Sequence, residues 1–290
     1  AQGVFSGKSS LLGLLLGDIT HPYNARVLKS TLETAFEYGY RVIPLETHNP
    51  EHTCKALMTL IELQVQGILV GSYDFDQVPT ETVLALRSHD VRYVVTDRYF
   101  GTRTVDHVAT DEQQVGELTV DYLYRLGHRK IAYLGPFWEI PHPAPLNRAT
   151  AVREALERRG LPATHHEMKP DYDVEDFLDQ LKDMPTAFIC WDDVAAAKQI
   201  KFCVAHDLRV PQDMSIMGCG NHAFGSLLCP ALTTIEQHQD QMARVATELL
   251  IQRVEAGSEP SAEERERRLI APTLIERSSC GKPKAVSPPP

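Results

Sequence analysis

Short apolar runs and helical stripes replace one another along the chain from Leu11 onward. Leu11 to Leu16 is an unbroken apolar run of strand length. A turn, Asp18-Ile-Thr-His-Pro22, leads into a helical stripe of Ala25, Leu28, Leu32, Ala35 and Phe36 that stops at Gly39. Tyr40 to Leu45 then reads as a strand, Asn49-Pro50 as a helix start with Ala56, Leu57, Leu60, Ile61 and Leu63 turned inward, and Gly67 to Val70 as a strand. A helix from Val83 to His89, a strand from Tyr93 to Thr96 closed by Asp97, and a strand from Val105 to Ala109 complete the first series. Strict alternation of this kind predicts a doubly wound lobe of about a hundred residues.

The pattern restarts at Asp111. Val115, Leu118, Thr119, Tyr122, Leu123 and Leu126 form a stripe that ends at Gly127, and the strand Lys130 to Leu134 follows. Arg148 to Arg159 reads as a helix closed by Gly160, His165 to Met168 as a short strand, and Val174 to Leu181 as a helix. From Pro185 to Asn221 the chain spells one βαβ unit: a strand (Ala187 to Cys190), an acidic turn, an Ala-rich helix, a Pro-marked loop and a strand (Ser215 to Gly218). Parallel strands carry their C-terminal ends to one rim, so Trp191, Asp192 and Asp193 should lie beside Gly220 and Asn221, where a binding site is expected. Leu232 to Ile235 is a last strand before a helix with Met242, Val245, Ala246, Leu249, Leu250 and Val254 on one face.

Composition narrows the function. The 290 residues suffice for two cores, and a net charge of −10 argues against nucleic-acid binding by this piece, since phosphate contact needs a basic face. The apolar run near the start is too short for a signal-peptide core or a membrane span, so the expected setting is cytoplasmic and no membrane partner is expected. Cys54, Cys190, Cys203, Cys219, Cys229 and Cys280 show no metal-ligand spacing and read as reduced packing residues; no metal and no cofactor is expected. Gly7-Lys8-Ser9 imitates a phosphate loop, but Gln2 stands where the motif needs glycine and no strand precedes it.

Five strings resemble one family in order and spacing: Leu126-Gly-His-Arg-Lys-Ile-Ala-Tyr-Leu-Gly135, Trp191-Asp-Asp-Val-Ala-Ala-Ala, Val210-Pro-Gln-Asp-Met-Ser-Ile-Met-Gly218, Pro230-Ala-Leu-Thr-Thr-Ile-Glu-Gln237 with Met242 after it, and Leu274-Ile-Glu-Arg-Ser-Ser279. They are similar to the effector-binding core of LacI/GalR-type bacterial transcription regulators, over roughly residues 11 to 280. The resemblance implies an α/β fold of two Rossmann-like lobes, periplasmic-binding-protein-like of type I, with a ligand held between lobes and three chain crossings. It puts residues 11–109 plus 237–264 in an N-terminal lobe and 110–236 plus 265–281 in a C-terminal lobe. Residues 1–10 would be a linker remnant and 282–290 a disordered tail.

Carried over one at a time, the family's contact positions fall on His21, Tyr23 and Asn24 after the first strand, on Asp97, on Arg148, on Tyr172, on Asp192, on Asn221 and on Gln237. The alternative for the first group is an ordinary helix start with Pro at its first position and a core Tyr. Asp192 is expected to face the ligand and Asp193 to cap the helix. Arg148 keeps the family's Arg although Arg148-Ala-Thr-Ala-Val152 lacks the Gly and aromatic of the usual R-x-x-G-F. Where the family reads G-F-D-D, this chain has Gly218-Cys219-Gly220-Asn221, so the usual partner for paired hydroxyls is a glycine.

The expected function is therefore an allosteric regulator core, not an enzyme, that senses a small polar effector such as a sugar or polyol. It would act as a homodimer, and reach operator DNA through the family's N-terminal helix-turn-helix, which these 290 residues do not contain. A solute-binding protein of a transport system shares the implied fold. A hydrolase or transferase finds no G-x-S-x-G, dinucleotide fingerprint or paired carboxylates.

Overall fold

A computed structural model describes residues 9–71, 75–97, 104–135, 148–167 and 184–284. The helix expected over Val174 to Leu181 lies outside the described residues. Backbone contacts divide the chain into two units, Ala1–Thr110 with His238–Ile270 and Asp111–Gln237 with Ala271–Pro290.

The first unit is built on a six-stranded sheet in the order β11-β5-β4-β3-β1-β2, from β1 (Leu11–Leu16), β2 (Arg41–Glu46), β3 (Gly67–Val70), β4 (Arg92–Thr96), β5 (His107–Thr110) and β11 (Arg267–Ile270). Every pairing is parallel. Side chains alternate across such a sheet, and the core divides accordingly. Leu12, Leu14, Leu16, Leu69, Val94 and Val108 pack on one face with α1 (Pro22–Glu37) and the helix Gln239–Ala256, numbered α7 below. Leu15, Ile68, Val70, Tyr93 and Val95 pack on the other with α2 (Pro50–Glu62) and α3 (Thr80–Ser88). Pro44 is tolerated in β2 because that strand is an edge.

Two local readings need correction here. The stripe expected to bury α1 is rotated: Val27, Thr31, Thr34 and Ala35 go inward, whereas Leu32 is exposed and Phe36 is 65% exposed. Small side chains let α1 lie close to α7, where Ser30 Oγ donates to the Asp240 carbonyl at 2.7 Å and Arg26 pairs with the Asp240 carboxylate at 2.8 Å. The strand β11 was not visible in the pattern, because Arg267-Arg-Leu-Ile carries no apolar alternation strong enough to announce it.

The second unit holds a parallel four-stranded sheet in the order β7-β6-β8-β9, from β6 (Ile131–Gly135), β7 (Thr164–Glu167), β8 (Ala187–Cys190) and β9 (Ser215–Met217). One face, with Ile131, Tyr133, Ala187, Ile189 and Met217, is covered by α4 (Glu112–Leu126) and α5 (Arg148–Arg158). The other, with Ala132, Leu134, Phe188, Cys190 and Ile216, is covered by α6 (Asp193–Ala205). A small antiparallel ribbon, β10 (Thr234–Glu236) with β12 (Thr273–Ile275), completes it. Asn49 and Asp111 cap α2 and α4 through their side chains, and Gly127 ends α4 with φ +105°. Where the tail was expected from Lys282, the Gly281 amide donates to Ser215 Oγ at 3.0 Å and the Lys284 ammonium meets Asp213.

Candidate functional site

Parallel order brings the C-terminal strand ends of each sheet to one rim. In the first unit the residues expected there sit after β1 and β4. His21 is the N-cap of α1, its Nδ1 accepting from the Tyr23 amide at 3.3 Å, and Asn24 Nδ2 donates to the Asp18 carbonyl at 2.7 Å. Asp18 is fully exposed, and the Thr20 hydroxyl and amide hold its carboxyl below the usual range. Asp97 follows β4 with φ +63°, a left-handed value that few residues other than glycine, asparagine and aspartate adopt. Its amide donates to the Val108 carbonyl at 2.9 Å, and its own carbonyl lies 2.7 Å from His107 Nε2. Tyr23 is a different case. Its ring is only 6% exposed within the core cluster of α1 and α7, and its hydroxyl points at Met242 Sδ at 3.7 Å, so the ring serves packing, not the sugar face expected of it.

In the second unit the largest correction concerns Arg148. It is 1% exposed, and its Nε and Nη2 grip both carboxylate oxygens of Glu112 while Nη1 donates to the Trp191 carbonyl. A guanidinium so enclosed must be charged and paired, and Glu112 holds its pKa well above the usual value despite the burial. Three of its five donors are thus committed inside the unit. The signal was out of reach of local pattern, since Glu112 is 36 residues away and opens a different helix.

Of the two aspartates after β8, Asp192 and not Asp193 caps the helix. Asp192 is the N-cap of α6, Oδ1 accepting from the Ala195 amide at 2.7 Å, and remains half-buried at the rim. Asp193 is wholly buried, accepts from the His222 amide at 2.6 Å and from the Thr234 hydroxyl, and burial pushes its carboxyl up to about 6. The backbone at Asp192 is extended (φ −147°, ψ 178°), the geometry a capping residue needs, so the helix begins at Asp193, one residue earlier than a cap at Asp193 would have it.

After β9, Asn221 (φ +48°) lies between two charged partners: Nδ2 donates to Glu236 Oε2 at 2.8 Å, and Oδ1 accepts from Arg277 Nη2 at 2.6 Å. Arg277 also donates to the Leu232 carbonyl at 2.7 Å. Gly220 adopts φ +128°, and a Cβ there would stand 2.8 Å from the His222 ring. Both backbone and space therefore require glycine at the position where the family has its aspartate. Gln237 is buried directly after β10. Tyr172 lies outside the described residues.

Trp191 was placed on this rim by its position but not counted as a contact. It is the first residue past β8, partly buried, with the Arg148 guanidinium 5.1 Å from its ring centroid. Among the described residues no group of three or more His, Cys, Asp or Glu side chains is placed to hold a metal ion, and no helix is long and apolar enough to cross a membrane.

Residues 120–280 match the family model described as a periplasmic binding protein-like domain. The chain belongs to this family. Within the periplasmic-binding-protein-like family, the ribose operon repressor of Escherichia coli K12 is 26% identical over 96% of this chain and 84% of the repressor. The transcriptional repressor PurR of Erwinia tasmaniensis is 29% identical over 96% of this chain and 82% of PurR. Solved structures repeat the fold. A LacI-family regulator from Enterococcus faecium with bound ribose superposes with a TM-score of 0.79 at 20% identity, over 94% of this chain and 99% of that one. A periplasmic binding protein/LacI transcriptional regulator from Alkaliphilus metalliredigens complexed with D-xylulofuranose gives 0.77 at 23%, with the same coverage. These relatives are transcription regulators, not enzymes, and this periplasmic-binding-protein-like chain is the effector-binding core of a LacI-family regulator.

Proposed function

We propose that this core senses a neutral sugar or related polyol, and that His21, Asn24, Asp97, Asp192, Asn221 and Gln237 supply its hydrogen bonds. The observation that carries the reading is the polar cluster after β9, where Asn221 bridges Glu236 and Arg277, with Asp192 at the end of the neighbouring strand β8. Such groups pair naturally with vicinal hydroxyls, each of which both donates and accepts. With Gly220 unable to contribute a side chain, Asn221 and Asp192 take over the work of the family's missing aspartate. Relatives of this core are described with ribose and xylulofuranose bound, which supports a sugar as the ligand class.

In this reading the ligand favours one conformation by its differential contacts, and affinity for operator changes reciprocally with affinity for ligand. Operator contact would come through an N-terminal DNA-reading module, with two copies of the chain addressing a two-fold site in the cytoplasm. Calorimetry with D-ribose, D-xylulose and cellobiose tests the sensing step: at least one should bind saturably, and Asn221→Ala should weaken it by about 1 to 3 kcal/mol by leaving partners unpaired. Heats indistinguishable from dilution for all three would defeat the sugar reading. Sedimentation at tens of micromolar tests the dimer, a species of the 32.5 kDa chain mass alone counting against it.

A further inference from the structure

We propose that Trp191 is the stacking residue for that ligand and that Arg148 and Glu112 are positioning residues holding it; the proposal rests on the sugar-sensing reading above. Trp191 follows the central pair of the parallel sheet, with β8 lying between β6 and β9. Its backbone is fixed on both sides: its amide donates to the Leu134 carbonyl at 2.8 Å, and its carbonyl accepts from Arg148 Nη1. Its Cβ packs over the end of β6, where only a glycine fits, since a Cβ on Gly135 would come within 2.9 Å of it. The Arg148 guanidinium lies against the indole. Arg148 is itself buried and is held in one orientation by both oxygens of Glu112.

That arrangement is expensive for a purely structural end. A buried ion pair is commonly no more stabilising than apolar side chains of the same volume, so what it contributes is a fixed geometry. Here the geometry fixed is that of a partly buried aromatic residue beside the polar Asp192 on the rim. An isolated exposed aromatic needs no explanation; one clamped by a buried Arg–Glu pair beside Asp192 and Asn221 is a preorganised platform. Its chemistry selects the ligand. The indole suits the C–H face of a sugar ring, while Asp192, Asn221 and Glu236 suit the hydroxyl edge. The described cations nearby, Arg148 and Arg277, direct donors to Glu112, Trp191, Asn221 and Leu232, and the carboxylates repel anions, so a neutral sugar is favoured over its phosphate ester.

The test uses the full chain with D-ribose, D-xylulose, cellobiose and ribose 5-phosphate as probes. Calorimetry on wild type, Trp191→Phe and Trp191→Leu should show a neutral sugar bound, binding largely retained by Phe, and a loss of about tenfold with Leu. Circular dichroism and thermal midpoints should stay close to wild type for both. The chain has two tryptophans, Trp138 and Trp191, so in a Trp138→Phe background the emission should change on titration with the bound sugar. Arg148→Lys, or Glu112→Gln if the former fails to fold, should weaken binding in the presence of Trp191 and have no further effect once Trp191 is Leu. A sugar that binds wild type and Trp191→Leu equally overturns the stacking role alone, and additive effects of Arg148 and Trp191 overturn the positioning role. Preference for ribose 5-phosphate overturns the choice of a neutral ligand. If no probe binds wild type, the sugar reading itself fails, and the stacking proposal with it.

Discussion

Arg148 and Asp193 each remove an ionisable group from water, and the chain treats them in opposite ways. Arg148 keeps its charge by pairing with Glu112, so truncating it strands a buried carboxylate. Arg148→Ala should lose about 3 to 5 kcal/mol in urea unfolding, while a double change of Arg148 and Glu112 to Met should recover most of that. Equal losses in the single and double variants would show that the pair is not what matters. Burial outweighs the two hydrogen bonds Asp193 accepts and the attraction of Arg277, so its carboxyl titrates at about 6 instead of 3.8. A folded value above the unfolded one means that Asp193 disfavours the native state once ionised. Its contribution is fully favourable below 3.8 and is lost as pH rises through about 6, a swing of roughly 3 kcal/mol. The stability of wild type relative to Asp193→Asn should therefore fall over that window, and a flat difference would refute the assignment. At this scale the sequence was a partial guide. Parallel order put Asp97, Asp192 and Asn221 at strand ends, where the structure has them after β4, β8 and β9, but the capping choice between Asp192 and Asp193 turned on one backbone angle, and the partner of Arg148 on a contact distant in sequence.

At the scale of elements, α4 and α5 approach so closely that Gly116 has no room to spare: a Cβ there would lie 2.5 Å from the Ala151 carbonyl carbon. Helix propensity alone says Gly→Ala should stabilise by about 1 kcal/mol. Overpacking against backbone reverses the sign, and Gly116→Ala should instead cost about 1 to 3 kcal/mol in the same urea assay. A gain in stability would mean that the helices separate easily. His128 joins elements in another way, its Nδ1 lying 2.8 Å from Thr186 Oγ1 and its Nε2 2.9 Å from the Gly281 carbonyl, so it ties the entries of β6 and β8 to the C-terminal segment. Burial lowers the pKa of both His128 and His107. A folded value below the unfolded 6.5 means their contribution is complete above 6.5 and is lost as pH falls, opposite in sign to Asp193. His128→Gln should accordingly flatten stability between pH 6.5 and the folded value; an unchanged slope would assign that acid sensitivity elsewhere. Most elements were legible because twofold and 3.6-fold periods differ clearly over buried strands and long helices. β11 and β12 were not, since edge strands of three or four residues rich in Arg and Thr owe their form to pairing, not to their own pattern.

For the whole molecule, charge governs what the chain meets unaided. The 29 Lys and Arg are outnumbered by 39 Asp and Glu. Many of the arginines are also spent within the units: Arg253 and Arg265 on Asp106, Arg158 and Arg159 on Glu117, Arg244 on Glu37. Asp106 is buried, but the more exposed pairs on Glu117 and Glu37 add little to stability, and all of them cancel local positive potential, leaving an acidic surface. Duplex DNA is bound chiefly through phosphate neutralisation by free cations, each contact releasing counterions and steepening the salt dependence. These 290 residues should therefore bind a duplex negligibly even at about 50 mM salt, where such contacts are strongest. Fluorescence anisotropy of a labelled duplex, with and without the sugar that binds best in calorimetry, provides the measurement. Submicromolar binding that weakens steeply with salt would show a basic reading surface within this core, and would overturn the view that its part in regulation is to bind effector while another module reads the operator.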